Sequence, residues 1–303
     1  MKSRFGIIAS AFLAVLAGTQ ASAQEGAGDE AFTFLRLDRS PVTSAMAGAG
    51  FSMTGQNDAY SVFGNPATAA FMDGRTEAAV SYRYWSPEIL SEHHITAAFT
   101  VKPIGNLAVS AGYAKGIQPP LEGFRGSDNN FALGVSYAIN DMFAIGVNGH
   151  YAFQELAKDY RLQSFAIDAI AQFHAGGFNV ATGIVSAGPK VVSKQSGAYP
   201  LPAAVKLAAD YTLEMNNISF TLATDGDYYL SGRMAFSGGV SLGIANIAYI
   251  RAGGRIAQEG CAVPSHVAVG GGVKIGPAKL DVSYITMNPI IGNSIMGGIG
   301  IHF

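Results

Sequence analysis

The sequence predicts an all-β chain, a transmembrane antiparallel β-barrel of about fourteen strands with an N-terminal plug (hatch) packed inside it. Three observations predict this. From Arg75 onward, large apolar residues alternate strictly with small or polar ones. The connections between these stretches are by turns short and long. The 303 residues are 49% hydrophobic and only 13% charged, yet nothing after residue 20 offers the roughly 20 consecutive apolar residues of a spanning helix. A membrane crossed by strands reconciles these facts, because alternation dilutes the apolar signal of each crossing. The 38 glycines agree, being too many for a helical protein and too dispersed for collagen or a linker.

The N-terminus reads as an export signal over residues 1–23. Lys2 and Arg4 form a positive start, Phe5 to Gly18 an apolar core, and Ala21-Ser22-Ala23 a small-residue cleavage site before Gln24. Residues 24–75 follow as a polar leader and the luminal hatch. The stretch from Phe34 to Phe71 sustains neither a period of two nor one of 3.6, so it is neither a regular strand nor a long amphipathic helix. It is rich in small residues (Ala45, Ala47, Gly48, Ala49, Gly50) and punctuated by the turn formers Gly55, Gly64, Asn65 and Pro66. Phe34, Leu35, Leu37, Phe51, Phe63 and Phe71 supply too many apolar anchors for a free tail. A compact irregular segment of this kind suits the inside of something larger.

Residues 76–303 are that container. Phe131, Leu133, Val135, Tyr137 and Ile139 fall on one face of a strand, with Ala132, Gly134, Ser136 and Ala138 on the other. Phe143, Ile145, Val147 and Tyr151 repeat the pattern against Ala144, Gly146, Asn148 and His150, as do Ile295 to Phe303. Strands are expected to start near residues 77, 93, 106, 130, 142, 162, 177, 203, 217, 233, 247, 265, 278 and 294. Short connections such as Asn140-Asp141 and Gly276-Pro277 alternate with longer ones at Ser86–Glu92, Gly116–Asn129, Glu155–Arg161, Ser186–Leu201, Asp225–Gly232, Gln258–Pro264 and Met287–Asn293. Short periplasmic turns and long outer loops are the habit of outer-membrane barrels. A soluble sandwich would bury the same faces, but has no reason for alternating loop lengths. Tyr82, Tyr84, Trp85, Tyr113, Tyr137, Tyr151, Phe173, Tyr211 and Phe303 are read as outward aromatics near strand ends, suited to interfacial girdles. The terminal Phe303 resembles the signal read by the barrel-insertion machinery.

A fourteen-stranded barrel leaves a lumen that is open or occupied. Its inward set is mostly Ala, Gly and Ser, with sparse ionisable groups: Arg83, His150, Asp168, Lys206, Asp210, His266, Asp281 and His302. An open diffusive pore would carry dense charged rows, so a plugged barrel is expected. Lys206 and Asp210, four apart on one strand face, are placed to pair with each other or with the plug. Arg83 and Asp168 complete the expected luminal polar set that meets it.

Gly48-Ala49-Gly50, followed by Asn57-Asp58-Ala59 and Asn65-Pro66-Ala67, resembles the N-terminal hatch of FadL-type outer-membrane transporters. Phe34-Leu35-Arg36 ahead of Ala45-Met46-Ala47-Gly48-Ala49 resembles the PorV/PorQ branch of that superfamily. The likeness covers about 40 residues by motif and the rest by architecture. It implies a hatch or gate at Gly48, Gly50, Asn65, Pro66 and Ala67, with the turn into the first strand at Asn65-Pro66-Ala67. FadL relatives pass hydrophobic small molecules; PorV/PorQ relatives handle exported proteins for the type IX secretion system. The short chain and modest loops favour the secretion-linked reading, with hydrophobic uptake as the alternative. Expected partners are outer-membrane lipid, the insertion machinery, secreted proteins or secretion-system components, and on the alternative a hydrophobic small molecule. The net charge of −2 gives no reason to expect nucleic acid.

Other motifs carry less. Gly239-Val240-Ser241-Leu242-Gly243 matches a nucleophile elbow, but Ser241 is expected mid-strand with no helix after it. His93-His94 puts two imidazoles on opposite faces of a strand, poor geometry for a metal. Asp225-Gly226-Asp227 is read as turn chemistry, lacking the acid pattern of a calcium loop. Cys261, the single cysteine, is read as an ordinary loop residue that forms no intrachain disulfide. No enzymatic activity, cofactor or metal is expected.

Overall fold

The computed structural model describes residues 30–303 except 57, 87–90, 122, 159, 194–196 and 288–291. The export signal of residues 1–23 and the start of the leader lie outside the described residues, as do parts of the connections at Ser86–Glu92 and Met287–Asn293. Among the described residues sixteen strands follow one another: β1 (Thr76–Ser86), β2 (Glu92–Ile104), β3 (Leu107–Leu121), β4 (Phe124–Ala138), β5 (Phe143–Ala157), β6 (Tyr160–Ala175), β7 (Phe178–Ala187), β8 (Val191–Ser193), β9 (Gly197–Tyr199), β10 (Ala204–Met215), β11 (Ile218–Tyr229), β12 (Met234–Ile244), β13 (Ala248–Ala257), β14 (His266–Ile275), β15 (Ala278–Thr286) and β16 (Asn293–His302). Fourteen of them close into an antiparallel barrel, each pairing with its chain neighbour, and β8 and β9 form a separate hairpin between β7 and β10. Closure runs from Glu77 opposite His302 to Ser86 opposite Asn293. With the ring closed no edge is left unpaired, which a wall in hydrocarbon requires.

The alternation sorts the wall as expected. On β4, Leu133 is 69% exposed and its neighbour Ala132 is 2% exposed. The outward side of every barrel strand is lined in the same way by Val, Ile, Leu, Phe and Tyr. The short turns are tight, with Asn216, Ala245 and Asn246 at φ 54–55° and Gly176 and Gly276 at φ 60° and 59°. Left-handed residues of this kind match hairpin turns to the twist of the strands they join.

Three readings need correction. Trp85 shares the inward parity of Ser81 and Arg83 and lies 6.3 Å from the buried His94 ring, so it is no part of an outward girdle. Asp225–Gly232 is mostly strand, because β11 runs on to Tyr229. The connections at Gly116–Asn129 and Glu155–Arg161 are long hairpins, with β3 and β4 continuing to Leu121 and Phe124, and β5 and β6 to Ala157 and Tyr160. Gly, Pro and Asp read as turn formers, but where a hairpin projects past the bilayer they pair once the ladder admits an irregularity, here between Ile117 and Pro120.

The described residues of 30–75 pack against inward-facing residues of the wall. They form 3-10 turns at Thr33–Arg36, Asp58–Phe63 and Pro66–Phe71 and one short helix, α1 (Pro41–Ala45). Ser40 starts α1, its Oγ accepting from Val42 N, with Pro41 at the first helical position where no N–H is needed. Helix α1 packs on β13 to β16, while the two later turns pack on β1 to β6, so the segment follows two adjoining arcs of the wall. Met46, Ala49 and Met53 pack against Ala223; Ala59, Tyr60 and Val62 against Ala79, Ala98 and Ala132. Small wall residues are what let this backbone approach. A Cβ on Gly253 would collide with the backbone of Met46, and one on Gly146 would sit 2.6 Å from Ala67 N.

Candidate functional site

The chemistry concentrates where the N-terminal segment meets the wall. Gly50 adopts φ +105°, a conformation that strains any residue with a Cβ. It thereby aims two consecutive amides at one carboxylate: Gly50 N and Phe51 N donate to Asp225 Oδ1 and Oδ2 at 3.1 and 3.3 Å. Asp225 is also 3.1 Å from Lys206 Nζ, which lies 3.3 Å from Asp227. Asp227 in turn takes Arg36 Nη2 of the segment at 2.7 Å and Arg255 Nη2 of β13 at 2.9 Å. Three cations thus meet two carboxylates in a buried cluster tying the segment to β10, β11 and β13. Burial alone would weaken the Arg36 charge, but Asp227, and after it Tyr229, hold its pKa above the ordinary arginine value. The face of Phe51 covers Lys206 with the ammonium 5.0 Å from the ring centroid.

A second, neutral set of contacts anchors the middle of the segment. Asn65 caps the turn Pro66–Phe71, its Oδ1 accepting from Ala67 N at 2.9 Å, with Pro66 at the first position. Its Nδ2 donates to Gln172 Oε1 at 2.7 Å and to Phe51 O at 3.0 Å, and Gln172 Nε2 donates to Ser52 O at 2.8 Å. Ser52 Oγ donates to Asp210 Oδ1 at 2.6 Å. On the opposite wall, Arg83 Nη2 donates to Asp38 O and Ser44 Oγ. Arg39 Nη2 donates to Phe34 O. Burial first, and then the neighbouring Arg83 charge, push the Arg39 pKa down to about 10.

The expected site residues therefore divide. Gly48 (φ +84°), Gly50, Asn65, Pro66 and Ala67 all sit at turns or contacts of the segment. Arg83 and Asp210 reach it directly. Lys206 and Asp210 do not pair with each other; each finds a nearer partner across the lumen or along the wall. Asp168 stays within the wall, accepting from Ser186 N at 2.7 Å and pairing with His150 Nε2 at 2.8 Å. Phe303 is exposed at the closing strand, its backbone paired with Thr76. The lumen is also more highly charged than expected. Arg36, Gln172, Asp225, Asp227, Arg251 and Arg255 were missed, most of all because Asp225-Gly226-Asp227 resembles a turn. The available signal was parity, since Thr221, Ala223, Asp225 and Asp227 continue one face of β11. Ser241 lies mid-strand on β12, and the His93 and His94 rings point to opposite faces.

Of the cavities that flank the segment, two lie along the lumen's length. One of about 90 Å³ lies beside Leu35, Leu37, Phe51, Phe63, His150 and Asp168. It is smaller than the ~150 Å³ apolar cavity that holds benzene. The other, about 660 Å³, opens at the short-turn end beside Met53, Asp73, His174, Asp210, Glu214 and Lys274. At the long-loop end, Phe32 and Phe34 pack with Ala152, Ala166, Val191 and Leu201 under the β8–β9 hairpin, with Leu35, Leu37 and Leu162 against them.

No protein-family model matches the chain, and no curated protein does. Solved structures do resemble it. A Pseudomonas aeruginosa FadL homologue aligns at 11% identity and TM-score 0.58, over 87% of this chain and 98% of the other. The CymD monoaromatic hydrocarbon channel aligns at 12% identity and TM-score 0.63, over 87% and 97%. The Pseudomonas putida toluene transporter TodX aligns at 10% identity and TM-score 0.56, over 87% and 98%. The fold is that of these barrels. With its apolar outward wall, it gives a location in the outer membrane of a Gram-negative bacterium.

Proposed function

We propose that this chain is a hatch-gated outer-membrane channel for hydrophobic small molecules, with the segment of residues 30–75 as its hatch. The observation that carries the proposal is the apolar collar at the long-loop end. Phe32, Phe34, Leu35 and Leu37 lead from it onto a cavity too small for even a benzene-sized guest. A greasy molecule that partitions into the collar can go further only if the hatch shifts, and below the hatch lies the larger polar vestibule. The likeness in fold to a hydrocarbon channel and a toluene transporter supports the same reading.

The secretion-linked, PorV/PorQ-like reading draws no support from these neighbours, and no feature of the lumen favours it. The proposal assigns the chain no catalytic step, and it keeps for Phe303 the role of insertion signal. The test is deletion of residues 34–71. In planar bilayers the shortened barrel should conduct continuously, and in proteoliposomes it should lose saturable uptake of toluene while gaining leakage of small polar solutes. An inserted barrel with unchanged conductance would sink the hatch assignment. A gated barrel that never takes up an aromatic or aliphatic probe would sink the substrate class.

A further inference from the structure

The outward face of the barrel is not uniform. The register of β3, β4, β5 and β6 sets four outward rows of residues side by side. Nearest the middle of the wall are Ala111, Leu133, Gly149 and Ile167, then Tyr113, Phe131, Tyr151 and Phe165. Toward the long-loop end come Lys115, Asn129, Phe153 and Gln163, and then Ile117, Ser127, Glu155 and Arg161. Four adjacent strands thus pass from aliphatic to aromatic to charged within three steps of alternation, marking the level where hydrocarbon gives way to headgroups.

The polar part of this surface is built rather than scattered. Tyr113 OH donates to Asn129 Oδ1 at 2.7 Å, Asn129 Nδ2 to Ser127 Oγ at 3.0 Å, and Ser127 Oγ to Glu155 Oε2 at 3.0 Å. Asn129 and Ser127 face outward yet are 3% and 5% exposed, covered by their neighbours. The Arg161 guanidinium lies 3.7 Å from the Phe153 ring centroid and donates to Tyr151 OH at 2.9 Å, an orientation fixed on two sides. Beside it Tyr113, Phe131, Phe153, Tyr151 and Phe165 form a continuous run of ring contacts.

The distribution of charge selects the partner. Among the described residues, outward strand positions carry a basic side chain at Lys115, Arg125 and Arg161, all on these four strands, and an acidic one at Glu155. Along the same two rows, β2 and β1 continue with Ile95 and Tyr82, and with His93 and Tyr84, none of them a lysine or arginine. We infer that the outer half of β3 to β6 is a docking surface for a phosphorylated, multiply acylated lipid of the outer leaflet, of the lipid A class. Arg161, Lys115 and Arg125 meet its phosphates, Gln163 and Glu155 meet its sugar hydroxyls, and Phe165, Leu133 and Ile167 lie along its acyl chains. Cations at the bilayer surface attract an anionic headgroup, so three on one side favour that lipid there over the rest of the ring.

The inference is tested by native mass spectrometry of the intact barrel in mild detergent, titrated with lipid A, with dephosphorylated lipid A and with phosphatidylglycerol. The wild-type barrel should retain lipid A at least tenfold better than either of the other two. The triple variant Lys115→Gln, Arg125→Gln, Arg161→Gln should lose that preference while keeping the heat-dependent gel mobility of a folded barrel. If the triple variant does not fold, Lys115→Gln alone should weaken retention severalfold, and raised salt should do the same to the wild type. Equal retention of the three lipids, or of lipid A by wild type and folded variant, overturns the assignment.

Discussion

Replacing Asp225 by Ala is the sharpest perturbation of the proposed hatch. Its carboxylate is fully buried and receives Gly50 N, Phe51 N and Lys206 Nζ. The alanine leaves two buried backbone donors of the segment without acceptors, each worth about 1–3 kcal/mol. Lys206 keeps Asp227 at 3.3 Å, so its loss is smaller than the roughly 3–5 kcal/mol of stripping a buried charge of its single partner. The wall around Asp225 persists whether the segment is docked or not, so the amide contacts dominate the docking balance. About 3 kcal/mol of weakened docking corresponds to a roughly 100-fold rise in the undocked population. Single-channel recording should therefore show long openings that are rare in the wild type. Asp225→Asn retains one acceptor oxygen and should fall between the two. A folded Asp225→Ala barrel with wild-type open probability would refute the claim that these amides hold the segment in place.

Two further perturbations probe the segment independently. Gly146→Val puts a side chain where Pro66 and Ala67 lie, with even a Cβ at 2.6 Å from Ala67 N. It should lower the thermal midpoint of the gel-mobility shift by destabilising the barrel by about 1–3 kcal/mol, and Gly149→Val, whose Cβ would meet open space, should not. Asp58, on the segment, has its pKa raised from 3.8 to about 7, first by burial and then by the Glu77 charge. The folded form therefore holds a proton that the unfolded chain has released between about pH 4 and 7. Stability from this group is full below that window, falls as pH rises through it, and is flat above. Thermal midpoints at pH 5 and pH 8 should show the loss, and Asp58→Asn should remove that part of the slope; an unchanged slope would mean that Asp58 ionises normally.

Architecture and site were legible to different degrees, for reasons visible in particular residues. Leu133 and Ala132 announce a wall with a greasy side and a small side, because side chains alternate strictly and the two sides meet different media. The same period delivered the strand starts to within a few residues, except on β4, where Ser127 and Asp128 looked like a loop while paired beyond the bilayer. Asn65-Pro66 announced its own cap, since both partners of that contact are local.

What the sequence by itself determined was the ring of strands, the facing of most side chains and the irregular, small-residue character of the segment before the first strand. All of these follow from local periodicity and composition. What only the tertiary structure decided was who meets whom across the lumen. Lys206 had an acid four residues away on its own face, yet it pairs with Asp225 and Asp227 from the adjoining strand, while Asp210 turns to Ser52. Arg36 meets an acid 191 positions further along the chain. Closure of the barrel brings such residues together, and buried charges then take whichever opposite charge or amide the enclosed space offers, independently of sequence separation.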